Sequence, residues 1–303
     1  MNIFILQQDF LNCKFFVTFQ QKNIILDFIF SMKVHKISNN QFSFKSGLTQ
    51  DILFAEKKVE VKKLEKIFAD NYGIETNFLE NPSAALANKL CLDIFNDIAT
   101  KFNMTLTVPP TIYLYDKKQL INNEPAINFC ISDTREVLKN EYPFPGRTIF
   151  FGNFKNLGEI DNDTEFLNKK QINSSSHFLA PFIHEWLHSF QLDYIFRNFG
   201  YGGDCDYLKE IYPTKQNRIT GVQLLKILES KVLLPKENEI IYETIGKYST
   251  QPINQYLEIF SETFTKFICN SLKNGRLNNN PFEQIKKTSP EFQKILHKVC
   301  LFK

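Results

Sequence analysis

The chain has 303 residues, of which 43% are hydrophobic and 23% charged, a balance that supports a full core and excludes a disordered protein. A formal net charge of +3 at pH 7 is too small to argue for nucleic acid or an anionic membrane surface, so neither partner is expected. Six cysteines without Cys-x-x-Cys spacing read as buried free thiols, not as a disulfide framework or a cysteine-type zinc site.

In chain order, residues 2–30 alternate Phe and Ile with polar residues, which predicts two or three strands. Asp9, Lys14, Lys22 and Asp27 interrupt this stretch, and it lacks the form of a Sec signal peptide. The expected location is therefore the cytoplasm, or outside the cell by a route that leaves no cleaved leader; Met32 is an alternative start. No apolar run reaches the roughly 18 residues that a membrane span needs. Residues 1–80 are set apart as an N-terminal region of unknown role, and 81–303 as the main domain.

Apolar residues at helical intervals predict a helix over 55–71, closed by Gly73. Asn81-Pro82 is an N-cap followed by proline, opening a long helix to about Phe102 whose apolar stripe (Ala85, Leu90, Ile94, Ile98) should pack under a sheet. Residues 111–115 and 147–153 read as strands, 133–139 as a helix, and the polar stretch 155–176 as a mobile surface loop. A helix starting near Leu179 to Pro181 then runs to about Phe196 and stops before Gly200. Further helices are expected over 220–231, 237–246 and 253–272, with a last one capped by Ser289-Pro290.

The helix after Pro181 carries His184-Glu185-Trp186-Leu187-His188. At helical pitch two histidines four apart lie one turn apart on one face, so two neutral imidazoles can grip one zinc ion. Glu185 then stands beside the metal, where a carboxylate can take a proton from water. A chain of this composition yields roughly 0.005 such matches by chance. The bland alternative is a pair of satisfied core histidines on an apolar helix.

A catalytic zinc site needs a third protein ligand. His35, His177 and His297 have no helpful neighbours in the sequence. Residues 255–264 are strongly apolar, yet Glu258 and Glu262 sit one turn apart on one helical face. Burying these acids beside Leu257, Ile259, Phe260 and Phe264 is costly unless they meet a cation or a donor. Glu258 is therefore expected as the third ligand, and Glu262 as the outer acceptor that orients a ligand histidine. The alternative is that both are solvated residues on the polar side of the helix.

The pairing of Phe182-Ile183-His184-Glu185-x-x-His188 with Glu258-x-Phe260-x-Glu262-x-Phe264 resembles the metallopeptidase domain of anthrax lethal factor and its relatives, zinc enzymes of the gluzincin type. The likeness extends over roughly 105–303, including the 147–152 strand and Pro290-Glu291-Phe292. It implies an α+β, zincin-like metallopeptidase over 81–303: a small mixed sheet, an active-site helix and a C-terminal helical lobe, with one Zn2+ between them. It implies an endopeptidase acting on a protein or peptide substrate, with the narrow target of a toxin or effector as one form. In this family a tyrosine shortly before the glutamate ligand assists the transition state; Tyr248 is the expected counterpart, with Tyr256 as the other candidate. The family's active-site edge strand corresponds to 148–152, so a substrate is expected to pair along Phe150, Phe151 and Gly152. The rival class is a catalytically silent binding module that keeps the metal for structure. Extra helices are expected between His188 and Glu258, over 203–246.

Overall fold

The computed structural model describes residues 47–103, 106, 109, 111–115, 128–131, 148–199, 233–250 and 255–299. The strands expected over 2–30, the helices over 133–139 and 220–231, the Gly200 stop, and His35 lie outside the described residues, as does the side chain of Tyr256.

Two helices come first, α1 (Gln50–Glu56) and α2 (Val61–Tyr72). The single helix expected over 55–71 is in fact broken at 57–60, where the chain re-enters helical geometry from an extended Glu60. Its end matches expectation: Gly73 takes a left-handed conformation, φ 64°, and its amide closes onto the carbonyls of Ala69 and Phe68. Strand β1 (Glu75–Asn77) follows, then the long helix α3 (Pro82–Lys101). Asn81 caps α3 through Oδ1, which accepts from the Ala84 amide at 3.0 Å, and its Nδ2 donates to the Phe154 carbonyl at 2.6 Å. The main neighbours of α3 are other helices and the small C-terminal hairpin, not the four-stranded sheet under which it was expected to lie.

The sheet contains β1, β2 (Thr111–Tyr115), β3 (Asn128–Ile131) and β4 (Thr148–Gly152), in the order β1-β2-β4-β3. β1, β2 and β4 are parallel, and β3 runs antiparallel to β4, with Phe129 opposite Phe150 and Asn128 opposite Phe151. This order corrects one expectation. β4 is an interior strand, hydrogen-bonded on both sides, and Phe150, Phe151 and Gly152 are buried. Its backbone has no free edge to offer a substrate; the edge beside it belongs to β3.

A second correction concerns 155–176. Most of that stretch is helix α4 (Leu157–Lys169), not a loop. Asn156 caps it through the Glu159 amide at 3.0 Å, and Glu159 reaches back to the Lys155 amide at 2.7 Å. The buried carboxylate of Glu56 accepts both from the Leu157 amide at the start of α4 (2.8 Å) and from the Ser83 hydroxyl at the start of α3.

The site helix α5 (Ala180–Phe199) is buried on every side over 182–187 except around partly exposed His188. Phe182, Trp186 and Phe190 recur every four residues and form one apolar ridge. Phe182 packs at a tilt against Phe151 of β4 (4.8 Å between ring centres), while Trp186 stacks on Phe95 of α3 and Phe190 meets its edge (5.7 and 4.7 Å). The Trp186 indole N–H donates to buried Asn88 Oδ1 at 2.9 Å, and Asn88 Nδ2 donates to the Ala84 carbonyl. The rotation of α5 is thereby fixed, which turns His184 and His188 toward the C-terminal helices.

Those helices are α6 (Pro235–Ile245), within the span where extra helices were expected, a 3-10 turn (Tyr248–Thr250), α7 (Gln255–Ser271), α8 (Pro281–Lys286) and α9 (Pro290–Val299). A two-stranded hairpin, β5 (Leu272–Lys273) with β6 (Arg276–Leu277), follows α7. Ser289 caps α9 by accepting from the Phe292 amide at 3.1 Å, as expected. Helix α7 packs along α5, so the two elements that carry the candidate site lie face to face. Cys91 and Cys269 are buried free thiols. Among the described residues no helix is long and apolar enough to cross a membrane. The architecture, a small mixed sheet on one side and a helical lobe on the other, is of the α+β kind.

Candidate metal centre

Helices α5 and α7 bring together the three residues expected as ligands. His184 Nε2 lies 2.9 Å from His188 Nε2, Glu258 Oε2 lies 3.1 Å from the first and 3.4 Å from the second, and all three side chains are close to buried. Ligand atoms of a tetrahedral zinc ion stand about 3.3 Å apart, given bonds of about 2.0–2.1 Å. The observed triangle brackets that spacing, so the His184, His188 and Glu258 group can hold a metal ion.

The far side of each imidazole explains why Nε2 faces inward. His184 Nδ1 lies 3.1 Å from Glu262 Oε1, in contact but off the hydrogen-bond axis. Glu262 itself is held by the Ser174 amide, which donates to Oε2 at 2.8 Å. His188 Nδ1 faces the Ser261 hydroxyl (3.0 Å) and Gln191 Oε1 (3.3 Å). With Glu262 beside one Nδ1 and Ser261 and Gln191 beside the other, both rings turn their Nε2 atoms toward one point. Lone pairs facing each other across 2.9 Å repel unless a cation or a proton stands between them. Glu262, expected as the orienting acceptor, stands 3.1 Å from His184 Nδ1. Ser261 and Gln191 were missed by sequence reasoning, although each lies three residues along the same helix from Glu258 or His188, close enough to face it.

In the site, two buried carboxylate oxygens, Glu185 Oε2 and Glu258 Oε2, have no hydrogen-bond partner. Each such oxygen costs on the order of 1–3 kcal/mol or more unless it meets a cation or water. Burial pushes the Glu185 carboxyl up, with Glu258 and Glu262 adding to the rise and the two histidines opposing it. Burial alone would lower His184, but contacts with Glu258 and Glu262 outweigh it and hold its proton affinity well above the ordinary value. Burial would raise Glu258, yet the His188 and His184 neighbours draw it well below the carboxylate range. The carboxylate is thus ionised and ready to bind a cation.

Tyr248 reaches the same place from the 3-10 turn. Its ring lies 6.1 Å from the His184 ring, centre to centre, and is partly exposed. Burial raises its phenol, and Glu258, Glu185 and Glu262 raise it further, so the hydroxyl stays protonated and able to donate. His177 and His297 stand apart: His177 is buried before α5, with Nδ1 accepting from the Leu179 amide, and His297 is in the last turn of α9. Compared with protein-family models, curated proteins and solved structures, the chain matches none.

Proposed function

We propose that the chain is a zinc-dependent endopeptidase of zincin-like fold, of the gluzincin type that its two-histidine, one-glutamate pattern resembles. The observation that carries this reading is the convergence of the two Nε2 atoms and the Glu258 carboxylate beside a buried Glu185 oxygen that has no hydrogen-bond partner. Imidazole with carboxylate suits zinc. When bound there, zinc would acidify a water and polarise a carbonyl. Glu185 takes a proton from the attacking water and passes it to the leaving amine, a role that its burial-raised proton affinity suits. The protonated Tyr248 hydroxyl donates to the oxygen that gains charge as the peptide carbon becomes tetrahedral. An extended substrate is assigned to the outer edge of β3, the strand that packs against α5.

The silent binding module gives Glu185 no task. The two readings part in one experiment: a peptide library is incubated with the zinc-loaded protein and with Glu185→Gln, and new N-termini are counted. The expected result is cleavage by the wild type and almost none by the variant, at equal metal content. Turnover retained in Glu185→Gln would remove that residue from the mechanism, and a wild type that cuts nothing would favour the binding module.

A further inference from the structure

Between α4 and α5 the chain passes through residues 171–174, and this short segment touches both sides of the candidate site. On one side the Lys247 amide donates to the Gln171 carbonyl (2.7 Å) and the Tyr248 amide to the Ile172 carbonyl (2.9 Å). On the other, the Ser174 amide donates to Glu262 Oε2 (2.8 Å) and the Ser174 hydroxyl to the Glu262 carbonyl (2.9 Å). The segment is itself anchored on α4, with the Ile172 amide on the Leu167 carbonyl and Asn168 Nδ2 on the Asn173 carbonyl. Gly246 makes the first contact possible. It adopts φ 97°, ψ 173°, a region essentially closed to residues with a side chain. A Cβ there would meet the carbonyl oxygens of Gln171, Ile172 and Asn173, each at 3.1 Å.

We propose that Gly246 and the 171–174 backbone form a clamp that positions the Tyr248 hydroxyl relative to the His184–Glu262 pair. The clamp rests on the endopeptidase reading for its purpose, but not for its existence. It acts through Tyr248, so Gly246 is a positioning residue. Because Ser174, at the end of the same segment, holds Glu262, which faces His184, the oxyanion donor and the ligand histidine share one frame. A side chain at position 246 pushes the turn off the three carbonyls and takes Tyr248 out of register, while the metal ligands on α5 and α7 stay in place.

Two measurements test the clamp. The first is amide hydrogen exchange in the wild type, which needs no activity. The amides of Lys247, Tyr248 and Ser174 should be protected and should open together as one unit. Free exchange at Lys247 and Tyr248 beside a protected Ser174 would overturn the proposal, even if no variant can be purified. The second is a cycle of Gly246→Ala with Tyr248→Phe. Gly246→Ala should lower kcat by about 10²-fold, as far as Tyr248→Phe does, with KM and metal content unchanged. The double variant should lose no more than either single one. An unchanged kcat, or a loss that adds fully to that of Tyr248→Phe, would sink the idea. Gly73→Ala is the control: it also puts a side chain at positive φ (64°), in the milder left-handed helical region and in open space away from the site, and should leave kcat alone. If the wild type hydrolyses no peptide bond, the endopeptidase reading fails and the exchange measurement still judges the clamp.

Discussion

At the scale of single residues, the site depends on what stands behind each ligand. Glu262 at Nδ1 of His184, and Ser261 with Gln191 at Nδ1 of His188, set which nitrogen turns toward the shared point. Glu262→Ala should therefore keep the metal site but weaken it, by about 10–100-fold in affinity as is typical for partners one step behind a ligand, measured by competition with a chelator. The histidine pair was legible because four-residue spacing on a helix places two side chains on one face whatever surrounds them. Glu258 was legible because an acid inside an apolar helix demands a partner. Ser261 and Gln191 were not, since a neutral polar residue on a helix carries no such demand. His177 gives a different test. Burial lowers it to about 4 from 6.5, so the folded protein holds it neutral. The unfolded chain takes up this proton as pH falls below about 6.5 and the folded chain only near 4, so folding loses stability across that window, by about 3 kcal/mol in the limit. Urea midpoints measured from pH 7 to pH 4 should fall less steeply in His177→Asn, whose Oδ1 can replace Nδ1 as acceptor for the Leu179 amide. Equal slopes would show that His177 does not hold the neutral state.

At the scale of elements, the orientation of α5 is the feature that makes the site. Its ridge of Phe182, Trp186 and Phe190 is anchored by one buried hydrogen bond, from Trp186 to Asn88. Asn88→Ala would leave the indole N–H without its acceptor and should cost about 1–3 kcal/mol, read as a shift in the denaturation midpoint. A loss under about 0.5 kcal/mol, the size of an ordinary surface change, would mean that packing alone sets the helix rotation. The long helix and the site helix were legible from their caps, Asn81-Pro82 and Pro181. Helix α4 was not: Gly158, Asp161, Asn162 and Asp163 are weak helix formers, and its first amide is satisfied by Glu56, about a hundred residues earlier in the chain. A local signal did exist, Asn156 followed three residues later by Glu159 as in a capping box, but the polar run after it hid the helix. The break at 57–60 was hidden for the opposite reason, because charged residues of good helix propensity span it.

At the scale of the molecule, the candidate site joins two halves. α5 leans on the sheet through Phe182 and Phe151, and α7 belongs to the C-terminal helices, where Lys298 pairs with Glu237 to bind α9 to α6 (2.6 Å). The presence of a sheet and a helical lobe was legible, but the strand order was not. Strand order rests on pairings between distant segments, and β3 is four residues long with no alternation to mark it. The edge reading of β4 came from the family resemblance, and with no strand read at 128–131 nothing in the sequence opposed it; the substrate assignment moved once β3 was found. His184, His188 and Glu258 are proposed to hold one metal ion across the two halves. That binding is tested most directly by elemental analysis of the purified wild type and Glu258→Ala, each after dialysis against trace zinc. The account predicts close to one zinc per chain in the wild type and well under one in the variant, with the fold retained by circular dichroism. Full zinc occupancy in folded Glu258→Ala would contradict it.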